Sequence, residues 1–88
     1  MANFTGMDIQ AVRQLSQQMN RSAEEIRTLS QRLTAALQGT PWVGPDQQQF
    51  LSDWQGHHVT QLNNIAQSLD DAATRASQNA EQQEQASA

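Results

Sequence analysis

The chain has 88 residues, the size of one small domain with a thin core, because so short a chain buries only about 60% of its unfolded surface. Apolar residues make up 36% of it, aromatic residues 5%, and there is no cysteine, which excludes a disulfide framework and a thiolate metal site. The net charge of -4 opposes binding to phosphate backbones and anionic lipids, so we expect no nucleic-acid partner.

An amphipathic helix is predicted from about residue 8 to residue 37. Its main apolar residues recur every three or four positions: Val12, Leu15, Met19, Ile26, Leu29 and Leu33. Ser22 interrupts one of these rows. Asp8 is a candidate N-cap, and a weak capping box from Thr5 to Asp8 is the alternative.

A turn is predicted over residues 38–45. Gly39 suits the left-handed residue that often follows a helix, and Pro41 opposes continuation of the helix. Gly44 can cap the next helix or adopt a positive φ, and Pro45 is well placed at its first position. The end of one helix and the start of another are thus both encoded within a few residues.

A second amphipathic helix is predicted over residues 46–79. Its apolar stripe is Leu51, Trp54, His58, Leu62, Ile65, Leu69, Ala72, Ala73 and Ala76. Large side chains give way to alanine along this helix, so either the partner helix comes closer there or this end is loosely held. Residues 80–88 contain only Gln, Glu, Ala and Ser, and we expect a flexible, frayed tail.

Two long helices joined by a short loop predict an all-α fold, an antiparallel two-helix hairpin. Extra apolar rows widen both stripes beyond what one neighbour can cover: Ile9, Ala23 and Leu37, and Phe50, Val59 and Ala66. We therefore expect dimerisation into a four-helix bundle, with a slight preference for a homodimer because two-fold symmetry is the commonest arrangement. The predicted hairpin and dimer seam is Val12, Leu15, Met19, Ile26, Leu29, Leu33, Leu51, Trp54, Leu62, Ile65 and Leu69.

The turn also contains a recognisable motif. Trp42-Val43-Gly44 is followed by Pro45-Asp46 and lies between the two helices, and the chain opens with Phe4-x-Gly6-Met7-Asp8. In a chain of this length, the combination resembles the WXG family of small ESAT-like proteins of type VII (ESX) secretion systems.

This resemblance implies a hairpin that dimerises head to tail, with itself or with a WXG paralogue, and is exported folded. In some family members the partners include a larger secreted toxin and the membrane-bound secretion ATPase. Trp42 would fold back over the end of the hairpin, and Gly44 would permit the tight turn. The family's Tyr-x-x-x-Asp/Glu export signal is absent, since the chain has no tyrosine. Three explanations of this absence are open. A partner supplies the export signal, the last turns of the tail supply it in a different form, or this protein stays with its partner as an adaptor.

No residue pattern predicts catalysis, a metal site or a cofactor. Ser52, Asp53 and His57 lie within six residues of one helix and cannot converge on one substrate atom. The adjacent His57 and His58 point about 100° apart on a helix.

The first six residues lack a basic stretch followed by an apolar one, so we expect no signal peptide. The leading hypothesis is a protein that is cytoplasmic before export and is secreted by a route independent of a signal peptide. A cytosolic structural or adaptor hairpin is the alternative.

Overall fold

A computed structural model shows an elongated molecule with principal extents of 66 × 17 × 16 Å. The structure describes residues 8–42 and 44–87. Helix α1 spans Ile9–Gly39, α2 spans Pro45–Asp53 and α3 spans Val59–Ser87, and a π-helical turn at Trp54–His58 joins α2 to α3. The prediction of an all-α fold is confirmed, and the described residues contain no strand.

The two arms of the molecule run antiparallel. Arg13, near the start of α1, contacts Glu84, near the end of α3. Ser16 contacts Ala73, and Arg27 contacts Asp70. Residue numbers thus rise along α1 as they fall along α3, which confirms the hairpin.

Local hydrogen bonds define both ends of α1. Asp8 is the N-cap, and its Oδ1 accepts a bond from the Ala11 N–H at 3.1 Å. The alternative cap, Thr5, lies outside the described residues. At the other end Gly39 remains helical, and the expectation that it is left-handed is wrong. Thr40 instead ends the helix, because it precedes Pro41 and has an extended backbone with φ −82° and ψ 131°. Its N–H and hydroxyl both donate to the Ala36 carbonyl, at 3.0 and 2.6 Å.

The chain reverses at Gly44, which has φ 127° and ψ 175°. It is the one residue with positive φ among those the structure describes, and this backbone region is essentially restricted to glycine. Pro45 then begins α2, as predicted. Gln47 donates across the reversal to the Leu37 carbonyl, at 3.4 Å.

The π-helical turn changes which side chains face α1. From α2 to the start of α3, the half-buried positions are Gln47, Leu51, Trp54, Val59 and Leu62. The step of five residues from Trp54 to Val59 corresponds to the wider π turn. The sequence stripe had placed His58 on the packed side, but His58 is exposed because the turn inserts one extra residue before the pattern resumes.

The C-terminal segment also differs from the sequence expectation of a frayed tail from residue 80. Helix α3 continues to Ser87, and Ala80 is 0% exposed. Arg13 contacts both Glu81 and Glu84 in this last part of α3. Of the two outcomes expected for an alanine-rich end, close approach of the helices is the one observed.

Candidate interaction surface

The arms meet along a row of small side chains, which we call the seam. It comprises Ser16, Ala23 and Ser30 of α1 and Ala66, Ala73 and Ala80 of α3, spaced seven residues apart on each arm. The four alanines are 0% exposed and the two serines at most 7% exposed. The Ser16 Oγ donates to the Ala73 carbonyl at 2.8 Å. A serine side chain can reach the main chain of a neighbouring helix only if the two backbones lie close together, so small residues set the spacing of the arms.

One side of the hairpin, the polar side, is closed by ion pairs. On an α-helix each residue is rotated by about 100° from the one before it. A residue four positions after a seam residue is therefore rotated by about 40° from the direction of the seam, towards the polar side. At such a position, Arg27 contacts Asp70 at 2.8 Å and also reaches Glu24 at 3.0 Å. These side chains are about one third exposed or more, so solvent screens the pairs and they contribute mainly to register.

The same polar side carries two further cross-links. Arg13 binds Glu84 at 2.7 Å and Glu81 at 3.0 Å, and its hydrogen bond and positive charge lower the pKa of the Glu84 carboxyl group. Nearer the turn, the Trp54 Nε1–H donates to the Thr34 Oγ1 at 2.8 Å. Polar contacts therefore close this side along most of its length.

The opposite side is apolar, and we call it the apolar face. A residue three positions after a seam residue is rotated by about 60° from the direction of the seam towards the apolar side. A residue one position before a seam residue is rotated by about 100° in the same sense. Because the arms are antiparallel, the same rotation on each arm points to the same side of the hairpin. The face comprises Val12, Leu15, Met19, Ile26, Leu29 and Leu33 of α1 with Leu62, Ile65, Leu69, Ala72 and Ala76 of α3.

Large side chains on this face remain in contact with solvent. Leu29 is 52% exposed, Ile65 51%, Leu15 47% and Leu33 42%. In contrast, the described residues include no large side chain that is fully buried. The hairpin buries alanines between its arms and leaves Leu15, Leu29, Leu33 and Ile65 on one open side.

The residues predicted to form the hairpin and dimer seam lie around the true contact of the arms. Half-buried members are Val12, Met19, Ile26, Leu51, Trp54, Leu62 and Leu69, and exposed members are Leu15, Leu29, Leu33 and Ile65. Their role in a dimer stays a prediction. Of the seam, the sequence prediction had Ala73 in the second stripe and Ala23 and Ala66 in the additional apolar rows, but it omitted Ser16, Ser30 and Ala80. The repeat of Ser16, Ala23 and Ser30 every seven residues is a signal that could have found the rest.

Aromatic residues cluster at the turn end of the hairpin. Trp42 folds back towards α2 and packs against Phe50, with ring centroids 5.9 Å apart and planes inclined at 49°. Both residues stay accessible, Trp42 at 38% and Phe50 at 47%. Trp54 packs at 6.2 Å from His58, which in turn lies 5.2 Å from His57. The Trp-x-Gly motif therefore presents an accessible aromatic pair next to the glycine that reverses the chain.

Residues 8–42 and 44–87 contain no group of three or more acidic, histidine or cysteine side chains that could hold a metal ion. Within the same residues, no helix is long and apolar enough to cross a membrane. Comparisons with protein-family models, with curated proteins and with solved structures found no match.

Proposed function

We propose that this chain is a small substrate or co-secreted partner of a type VII secretion system and acts by pairing its apolar face with another helical hairpin. The pair would be a four-helix bundle that forms in the cytoplasm before export. The observation that carries the proposal is the one-sided apolar face, where Leu15, Leu29, Leu33 and Ile65 are each 42–52% exposed.

The size of this face supports pairing. On α1 its residues run from Val12 to Leu33, and the molecule is 17 Å wide. At about 1.5 Å per residue the face measures roughly 32 × 17 Å, or about 500 Å² in outline. This area lies in the upper part of the range for the largest apolar patch on a monomer, and such patches are often functional.

The turn supports the assignment to type VII secretion. The resemblance to the WXG family rests on Trp42 and Gly44, and both have a structural role that suits a motif. Gly44 adopts a backbone conformation that other residues avoid, and Trp42 packs against Phe50 while staying accessible. An accessible tryptophan at the tip of a paired bundle could be read by the export machinery without opening the bundle.

Pairing is tested by Ile65→Asp, which places a charge in the apolar face but outside the seam. The variant should keep its helical circular dichroism yet lose the dimer in light scattering, because an unpaired charge is not tolerated in an apolar interface. Asn64→Asp is the matched control, since Asn64 is exposed and off the face. Unchanged association of Ile65→Asp would remove the apolar face as the pairing surface.

Export is tested by secretion of Trp42→Ala from cells that carry a type VII system. We expect a folded, paired protein that accumulates inside the cell, whereas Trp42→Phe, which keeps an aromatic ring, retains partial export. Undiminished secretion of Trp42→Ala would make the motif purely structural. Absence of secretion of the native chain together with its partner would favour the cytosolic adaptor hairpin.

A further inference from the structure

We infer that the π-helical turn at Trp54–His58 is a rotational hinge, about which α3 turns between two packing registers against α1. The observed register buries three alanines of α3, Ala66, Ala73 and Ala80. In the second register, which the chain reaches when the turn relaxes to α-helix, the side chains that turn towards α1 are Leu62, Ile65, Leu69, Ala72 and Ala76. The hinge therefore withdraws one arm of the apolar face, and it requires neither pairing nor export.

The π turn contains one residue more than an α-helical turn. The Val59 N–H donates to the Trp54 carbonyl five positions earlier, instead of to a carbonyl four positions earlier. Each residue of an α-helix is rotated by about 100° from the one before it, so relaxation of the turn rotates all of α3 by about 100°. Each side chain of α3 then takes the place of its successor. Ile65, for example, faces α1 where Ala66 did.

The sequence contains a stripe that fits the second register. Its positions continue through the turn in steps of three and four residues: Leu51, Trp54, His58, Leu62, Ile65, Leu69, Ala72 and Ala76. Such a stripe lies on one side of a continuous α-helix, and the π turn divides it. The periodicity that placed His58 on the packed side therefore describes the second register, whereas the buried alanines describe the observed one.

The small side chains of α1 admit either register. Ser16 lies opposite Ala73, to which it donates a hydrogen bond, and Ala72 takes that place in the second register. Seven positions nearer the turn on each arm, Ile65 comes opposite Ala23. The arms must lie further apart there, as helices do when larger side chains separate them. In return Ile65, which is 51% exposed in the observed register, becomes buried.

Two features of the turn allow it to relax. Gly56 lies in its middle, and glycine weakens a helix by about 1 kcal/mol relative to alanine, which eases rearrangement of the backbone hydrogen bonds. A groove of about 360 Å³ lies beside Val59, and its lining includes Ser30 and Thr34. This groove leaves room for His58, the larger side chain that takes the place of Val59.

Ion pairs on the polar side hold the observed register. Arg27 contacts Asp70 at 2.8 Å, and Arg13 contacts Glu84 at 2.7 Å. Rotation by one residue puts Leu69 in the place of Asp70 and an uncharged glutamine in the place of Glu84. Both arginines then lose their carboxylate partners on the other arm. Because these pairs are exposed to solvent, salt screens them and favours the second register.

Disulfide cross-linking within one chain measures the register, because the native chain has no cysteine. A disulfide forms only if the two Cα atoms come within about 7 Å and the side chains point towards each other. Ser16→Cys is combined with Ala73→Cys to report the observed register and with Ala72→Cys to report the second one. Its combination with Thr74→Cys is the matched control, since position 74 is rotated by about 100° to the other side. Oxidation is mild and the protein is dilute, and mass spectrometry counts the cross-linked single chains.

We expect the Ala73→Cys pair to cross-link fastest and the Ala72→Cys pair to cross-link more slowly. At about 1 M salt, where the screening length is about 3 Å, the Ala72→Cys rate should rise severalfold and the Thr74→Cys rate should not change. Arg27→Gln should have the same effect at low salt, whereas Arg21→Gln, at an exposed position, should have none. Equal rates for the Ala72→Cys and Thr74→Cys pairs in every condition would indicate ordinary flexing and would overturn the hinge.

Deletion of Gly56 tests the π turn itself. The shortened chain can form one continuous α-helix that keeps both Trp54 and Ala73 towards α1, so no extra residue remains to drive the rotation. Circular dichroism and the Ala73→Cys cross-link should be retained, while the Ala72→Cys rate should fall to that of the Thr74→Cys control at both salt concentrations. An Ala72→Cys rate that survives the deletion would overturn the role of the π turn and would leave the proposed pairing and export untouched.

Discussion

Enlarging one seam residue should destabilise the hairpin more than any change on its apolar face. Ala23 is 0% exposed and lies between Ser16 and Ser30 on the seam. Leucine at position 23 adds three carbon atoms where the arms are closest. Helices in contact lie 8–10 Å apart depending on the side chains between them, so the arms must separate.

The expected fall in the free energy of unfolding of Ala23→Leu has two contributions. Overpacking of a well-filled contact costs about 1–3 kcal/mol. Separation of the arms also breaks the Ser16–Ala73 hydrogen bond, which contributes about 0.5–1.5 kcal/mol. The free energy of unfolding should therefore fall by roughly 2–4 kcal/mol, out of about 4–13 kcal/mol for a chain of this size. For a domain this small, the corresponding drop in Tm is roughly 10–25 °C.

Thermal unfolding followed by circular dichroism at fixed protein concentration measures this effect. Ala35→Leu is the matched control, because it makes the same substitution in the same helix at an exposed position. We expect its Tm to stay close to that of the native chain. Equal stability of Ala23→Leu and Ala35→Leu would refute close packing at the seam.

Two further predictions concern the turn and the C-terminal ion pair. Gly44→Ala should lower the free energy of unfolding in urea by about 1–3 kcal/mol, because φ is 127° at this position. Gly39→Ala is the control and should be neutral or stabilising, because Gly39 is helical. Equal effects of the two substitutions would refute the argument. Arg13 lowers the pKa of Glu84 in the folded protein, so their contact stabilises above the ordinary carboxyl pKa and is lost as pH falls through the lowered value. The Tm difference between the native chain and Glu84→Gln should therefore shrink on acidification, and a difference that stays constant with pH would refute the contact.

Signals local in sequence predicted the architecture well. The spacing of apolar residues gave both helices, and Gly44 with Pro45 placed the start of the second helix where the structure has it. These features depend on backbone preferences within a few residues, so they can be read without knowing what packs where. The motif singled out Trp42 and Gly44, but the 38% exposure of Trp42 is known only from the structure.

The sequence pattern was less informative about which residues face the other arm. Ranking by hydrophobicity selects Leu29 and Ile65, but the closest contact of two helices selects the smallest side chains, such as Ala23 and Ala66. The exposure of His58 depends on the π-helical turn, which inserts one extra residue. The spacing of apolar residues by three and four positions does not reveal such an insertion.

The sequence by itself determined two helices, the start of each and the reversal between them, because caps, proline and glycine act on their immediate neighbours. Only the tertiary structure decided that alanine and serine join the arms, that Ala80 docks at the far end, and that the large apolar residues share one open side. The physical reason is that the rotation of one helix against another depends on how closely their backbones can approach. That distance is a property of the pair of helices and cannot be read from either one alone.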